Sequence, residues 1–294
     1  HFFIKLLYLL QKKMSLIKGI YAASLSLIND DYSLNIDETI KHAENVIDNG
    51  CHGAVFFGST GQSQLISLGE KIQLINKLPK SHYRDKFIVG TGTNSLLDTI
   101  SLMKISMTLG FDKFLIMPPA YYKYDDNEVI DFYSKIANEL KEAKIILYNF
   151  EKLSGYKFSL DCIKKLVSKY PQQIVGVKDS SYNLYENLKI DNFSIMPGSE
   201  SKLLRGLELG CSGIITATTN ITGSLAREVY DNFNSNLPQS ADKKLCAVRS
   251  VFDNYNLISS LHTLMMQKSL LFKNLLPPLK LLNETEESEL LSNL

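Results

Sequence analysis

A lysine closes the apolar run Ile174-Val175-Gly176-Val177-Lys178, and Asp179 and Ser180 follow it. A second run, Ile145-Ile146-Leu147, ends on Tyr148 and Asn149. A third, Ala54-Val55-Phe56-Phe57, opens into the turn Gly58-Ser59-Thr60-Gly61. Short β-branched runs of this kind read as buried strands, so each ending delivers a polar group into a site. An amine held among apolar groups loses the solvation that favours its charged form and becomes nucleophilic, able to attack a ketone and form a Schiff base. Tyr148 can move a proton if another hydroxyl fixes its own. The turn's N–H groups and hydroxyls suit a carboxylate, and Ser59 or Thr60 can also bridge tyrosines in a relay. Each feature has a plainer reading alone: a lysine paired with Asp179, an ordinary strand tyrosine, a small loop. Together they fit imine chemistry on a 2-oxo acid. The protonated imine of Lys178 serves as the electron sink for making or breaking a carbon–carbon bond, and no metal or organic cofactor is required.

Other groups lie near the ends of apolar runs. Tyr121 and Tyr122 follow the rigid Pro118-Pro119 pair and can reach either the site or a subunit interface. Asn149, Ser180, Ser181, Glu200 and Thr218 are candidates for holding the polar tail of a substrate. Asp30 and Asp31 read as a solvated loop.

These groups need a scaffold that brings strand ends together. Between the apolar runs lie helical patterns: Asn35 to Asn49, Ser67 to Leu78 with a capping box at Ser67 and Glu70, Leu97 to Leu109, Asn127 to Leu140, Ser159 to Lys169 and Ser201 to Leu209. The strands read as Gly19 to Ala23, Ala54 to Phe57, Phe87 to Val89, Lys113 to Met117, Lys144 to Tyr148, Ile174 to Lys178, Phe193 to Met196 and Gly213 to Ala217. Eight alternations within about 230 residues predict a (β/α)8 barrel, in which active groups gather at the C-terminal ends of the strands. A doubly wound sheet is the rival. It calls for a glycine fingerprint after the first strand, where Ser24-Leu25-Ser26 stands instead. Residues 14–224 are expected to form the main barrel region. Residues 225–294 would add the last barrel helix, a C-terminal helical extension and, from Asn283 to Leu294, a loose acidic tail.

The 294 residues are 45% apolar and 21% charged, enough for one large α/β domain. With 32 basic and 31 acidic residues, the chain lacks the basic excess of a nucleic-acid binder. Four separated cysteines, with no CxxC or HExxH spacing, argue against a structural zinc site or disulfide framework and fit the reducing cytoplasm. Residues 1–13, HFFIKLLYLLQKK, place basic residues after the apolar ones, the reverse of a signal peptide, and are too short to span a bilayer. They read as an upstream extension, an expression artefact or a short added helix ahead of Met14, and no membrane association is expected.

Gly58-Ser59-Thr60-Gly61, Tyr148-Asn149 and Gly176-Val177-Lys178 occur in the order and at the spacing of the dihydrodipicolinate synthase and N-acetylneuraminate lyase family, which the chain resembles from Lys18 to about Leu282. The resemblance implies a class I, pyruvate-binding aldolase on a (β/α)8 barrel, commonly a homotetramer; a homodimer would also hold a complete site. It implies Lys178 as the imine lysine, Tyr148 as the proton carrier, Ser59 as the relay hydroxyl and Thr60 as a carboxylate ligand within the Gly58–Gly61 turn. It also implies that Tyr121 completes the relay. Departures bear on substrate. Gln62 follows Gly61 where the family usually has glutamate. Leu153 stands where the synthase has an arginine for its dicarboxylic partner, and Lys152 beside it lacks the bidentate fork. Gly198, Glu200 and Ser201 occupy the segment that holds the sugar tail in the lyase subgroup, with one acid replaced by serine. Ile215 and Thr218 flank Ala217, which stands where that lyase has a serine. These features imply release of pyruvate and an aldehyde from a hydroxylated 2-oxo sugar acid or a neuraminate-like substrate. The alternatives are dihydrodipicolinate synthase, condensing pyruvate with aspartate semialdehyde, and a non-enzymatic ligand-binding barrel.

Overall fold

The structure, a computed structural model, describes residues 16–235 and 239–294, so the expectations for residues 1–13 lie outside it. Eight strands form one sheet: β1 (Gly19–Ala23), β2 (Gly53–Phe56), β3 (Phe87–Gly90), β4 (Lys113–Ile116), β5 (Lys144–Asn149), β6 (Ile174–Asp179), β7 (Ser194–Pro197) and β8 (Gly213–Thr216). Each pairs in parallel with its neighbour in sequence from β1 to β7, and β8 pairs with β1. Between β7 and β8, the Ser212 N–H donates to the Ile195 carbonyl at 2.9 Å. This is a (β/α)8 barrel; the strand order never reverses, as a doubly wound sheet would require.

Side chains alternate between two cores. Ala23, Val55, Ile88, Leu115, Ile146, Met196 and Ile215 fill the interior. The opposite faces pack against the helices. These begin where side chains can cap them: α1 (Ile36–Asp48) at Asn35, α2 (Leu68–Lys77) at the Ser67/Glu70 box, α3 (Leu96–Thr108) at Ser95, and α4 (Asp126–Glu139) at an Asp125/Glu128 box. A short α5 (Glu151–Ser154) follows β5, ahead of α6 (Leu160–Lys169). The connection from β6 to β7 has no regular helix; the Asp179 carboxylate organises it instead, accepting from the amides of Tyr182, Leu184 and Tyr185.

After the short α7 (Leu203–Glu208), α8 (Thr219–Asn232) is the last barrel helix. It starts ahead of residue 225, so the expected division falls inside it. The extension contains α9 (Ser240–Phe252), α10 (Leu257–Met266) and α11 (Glu284–Asn293). The last of these corrects the loose tail: Asn283 and Glu286 form a capping box, and Leu290 is 0% exposed. Leu290 packs with Phe252, Leu261 and Phe272 against Leu25 and Leu27 after β1 and Ala217 after β8. The extension therefore sits over the C-terminal ends of the strands.

Candidate active site

A bulge aims the lysine. Ile145 pairs with Ile174, but Ile146 pairs with Gly176, so β6 carries one extra residue. Val175 points into the barrel, and strict alternation would send Val177 inward and Lys178 outward. The bulge reverses this: Val177 joins the outer core, and Lys178 stands opposite Tyr148. Gly176 permits the close approach, since a Cβ there would lie 2.7 Å from the Ser194 carbonyl oxygen.

Lys178 is 3% exposed, and its Nζ lies 4.3 Å from the Tyr148 ring centroid. The Tyr148 hydroxyl is 2.9 Å from Ser59 Oγ. The amine thus lies against the face of the phenol, and the phenol's hydroxyl is hydrogen-bonded to the serine. Asp179, one residue on, projects to the opposite face and does not pair with Lys178. Its partners there are the β6–β7 backbone and Asn149 Nδ2 at 2.8 Å.

The hydroxyl turn is anchored from below. Phe57 and Gln62 take left-handed backbone conformations at its two ends (φ 53° and 57°). The Gly61 N–H donates to the Gly58 carbonyl, and the Gln62 N–H to that of Ser59. Ser26 Oγ donates to the Gly61 carbonyl at 2.7 Å, and a Cβ at Gly61 would meet the Ser24 carbonyl at 2.8 Å. Gln62, the departure from the family's glutamate, is buried. Its amide donates to the Ser26 carbonyl and accepts from the Leu276 N–H at 2.8 Å, tying the turn to the extension. The amide N–H groups of Ser59 and Thr60 donate to nothing among the described residues. Two adjacent backbone donors beside Tyr148 are the equipment a carboxylate needs.

A cavity of about 350 Å³ opens beside these groups, walled by Gly58, Ser59, Tyr148, Met117, Leu153 and Leu279 among others. The Lys178 amine sits over the Tyr148 ring and is not part of the wall. Among the described residues, no three His, Cys, Asp or Glu side chains converge as metal ligands would. A second buried amine, Lys71 on α2, lies over the Phe57 ring, where burial pulls it down to about 8 against the opposing pull of Asp98.

Several expected substrate ligands are committed elsewhere. Asn149 is fully buried on the outer face of β5. Its amide donates to Asp179 and Asn183 and accepts from the Phe158 N–H, so it braces the loops. Glu200 is 0% exposed and bound to Arg249 Nη1 at 2.9 Å, Thr216 Oγ1 at 2.9 Å and Thr222 Oγ1 at 3.3 Å. Thr218 Oγ1 borders the same guanidinium. Ile215 is interior packing beneath Tyr148. Ser201 is exposed and bonded to Ser199. Ser180 is half-buried against Gly198, where a Cβ would lie 2.1 Å from its Oγ; Gly198 makes room for that serine. Tyr121 is 88% exposed with φ 80°, stacked edge-on with Tyr122, and within one chain it does not meet the Tyr148 hydroxyl. Arg249 escaped sequence reasoning, because nothing in the exposed pattern of its helix marks the partner it finds on the β7 loop.

A barrel with an inward lysine at the end of β6, a phenol beside it on β5 and a hydroxyl-bearing turn after β2 is an arrangement suited to a lyase. The model of the dihydrodipicolinate synthetase family matches residues 16–294, and the chain belongs to that family, whose members are class I pyruvate-dependent lyases and aldolases. It is 34% identical to a 4-hydroxy-tetrahydrodipicolinate synthase of Listeria monocytogenes over 69% of this chain and 71% of that protein. It is 29% identical to an N-acetylneuraminate lyase of Clostridium perfringens over 73% of this chain and 75% of that one. It is also 29% identical to an uncharacterised DapA-like lyase of Chloroflexus aurantiacus over 81% and 83%. The fold superposes on an E. coli prophage protein of the same family solved with pyruvate, with a TM-score of 0.84, 19% identity and coverage of 95% and 97% of the two chains.

Proposed function

We propose that the protein is a Schiff-base aldolase that cleaves a hydroxylated 2-oxo acid to pyruvate and an aldehyde, and can run the condensation in reverse. The observation that carries this is the Lys178–Tyr148–Ser59 group beside two open backbone N–H donors. The amine adds to the substrate's 2-oxo carbon and water leaves, forming the imine. Tyr148 takes the proton from the 4-hydroxyl. The bond between carbons 3 and 4 breaks, the aldehyde departs, and its electron pair enters the imine to form an enamine. Return of a proton to carbon 3 and addition of water release pyruvate and the free amine. The turn holds the carboxylate throughout, and the imine supplies the electron sink.

Leu153 disfavours the synthase reading: half-exposed on the cavity wall, it offers no cation to a dicarboxylic partner. Burial of Glu200 against Arg249 weighs against a sugar tail held by that carboxylate. The exposed Tyr121–Tyr122 pair supports assembly with further copies of the chain, in which Tyr121 meets the relay of a neighbour.

The test is incubation with pyruvate and borohydride, followed by peptide mass spectrometry. A reduced adduct is expected on the Lys178 peptide and not on that of Lys71, and Lys178→Ala should abolish it together with pyruvate release. An unmodified Lys178 peptide would sink the mechanism and leave the non-enzymatic barrel.

A further inference from the structure

We infer that the aldehyde half of the substrate is uncharged and largely apolar, selected by the cavity between the β3 and β4 loops and the C-terminal extension. This rests on the aldolase reading above. The cavity shares Ser59 and Tyr148 with the reacting groups and runs outward from them, so it receives what is joined to the pyruvate carbons. Among the described residues, its wall contains no Lys, Arg, Asp, Glu or His. An ionic group seated there would lose its hydration with no partner in return, a penalty large enough to exclude it.

The amides of the wall and Thr93 each spend at least one polar group on the wall itself. Gln62 spends both ends of its amide on Ser26 and Leu276. Gln64 donates to the Gly92 carbonyl at 3.0 Å, and Asn94 accepts from the Ala120 N–H at 2.8 Å. Thr93 donates to the Ser95 carbonyl at 2.7 Å. Asn256 caps α10 by accepting from Ile258 and Ser259. These bonds fix the loops around the opening and turn the chemistry of the surface over to Leu65, Met117, Leu153, Ile258 and Leu279. A polyhydroxylated tail needs a partner for each hydroxyl it buries, and the side-chain ends left over on Gln64, Asn94, Asn256 and Ser63 are few, so such a tail is disfavoured, though less strongly than an ion. At about 350 Å³ the cavity lies at the small end of ligand sites, sized for a short aliphatic chain or one ring.

In the condensation direction, the enamine carbon attacks the aldehyde carbonyl, a carbon–carbon bond forms, and the former carbonyl oxygen takes a proton to become the 4-hydroxyl. Water then hydrolyses the imine and frees Lys178. The test runs this reaction with the intact protein, pyruvate and four acceptors: butanal, benzaldehyde, glyceraldehyde and succinic semialdehyde, with aspartate semialdehyde as a fifth. Butanal or benzaldehyde should exceed either semialdehyde by at least about 100-fold in kcat/KM, and glyceraldehyde by about tenfold. Leu153→Arg, at a half-exposed wall position that tolerates a long side chain, should narrow the gap to succinic semialdehyde by tenfold or more. A charged or polyhydroxylated acceptor that matches the apolar ones, with the borohydride adduct intact on Lys178, would overturn this inference and leave the aldolase reading standing. Loss of the adduct would overturn both.

Discussion

Arg249→Met should leave a carboxylate stranded in the protein. Glu200 is 0% exposed, and its nearest cation is Arg249, 2.9 Å away and itself buried. Thr216 and Thr222 hydroxyls solvate the carboxylate, but hydroxyls do not neutralise it. The second contact of Arg249, with the half-exposed Asp253, adds little. Breaking such a buried pair from one side costs about 3–5 kcal/mol. Removing the charge from both sides, in Glu200→Gln with Arg249→Met, leaves a neutral amide still bonded to Thr216 and should recover about half of that loss, about 2 kcal/mol relative to Arg249→Met alone. Urea unfolding of the four proteins in the cycle measures it. A deficit below about 1 kcal/mol would show that Glu200 is not committed to this pair and would return it to the list of substrate ligands.

Tyr148→Phe keeps the ring over Lys178 but removes the proton carrier, and kcat for pyruvate release, followed by coupled reduction of pyruvate, should fall about 10²- to 10⁴-fold. Gly176→Ala places a Cβ 2.7 Å from the Ser194 carbonyl, and the strand must shift; about 1–3 kcal/mol of stability should be lost, along with most of the borohydride adduct, measured by urea titration and mass spectrometry. Burial lowers His42 and pulls His262 down to about 4, against a hydrogen bond to the Phe272 carbonyl that favours its charged form. A depressed folded pKa means stability is complete above about 6.5 and lost as pH falls toward 4, so about 3 kcal/mol should vanish in that window from His262 alone, and His262→Leu should flatten that limb of the unfolding curve.

Strand ends, helices and the barrel were legible because each is written in short-range pattern. Ser67-x-x-Glu70 announces α2, and the helices start within a residue or two of their expected positions. The juxtaposition of Lys178, Tyr148 and Ser59 was legible because a barrel gathers strand C-termini at one face, so placing them at strand ends places them together. The tail ligands were not legible. Asn149 sits at a strand end, but the pleat turns it to the outer face, away from Tyr148. Glu200 follows β7 where a ligand would stand, but Arg249, 49 residues away, claims it. The last helix was missed although Asn283 and Glu286 stand at capping-box spacing, because a single buried leucine gives no apolar stripe to mark it.

The bulge in β6 shows why position along a strand does not by itself assign a catalytic role. Val175 and Lys178 both point inward although they stand three positions apart, which strict alternation forbids. The apolar run around Gly176 gives no sign of this, because every residue in it is buried on one side or the other. The placement of the amine therefore depends on one extra residue in β6, Val175, and on the close approach of Gly176 to β7 beside it. The selectivity of the site depends on loops and an extension that cross over the strand ends and are tied to them through Gln62. The two parts meet at Gly58, Ser59 and Tyr148. Changes to the cavity wall at Leu153 or Leu279 should consequently redirect the acceptor without moving the amine, whereas changes at Gly176 should remove the amine from every acceptor at once.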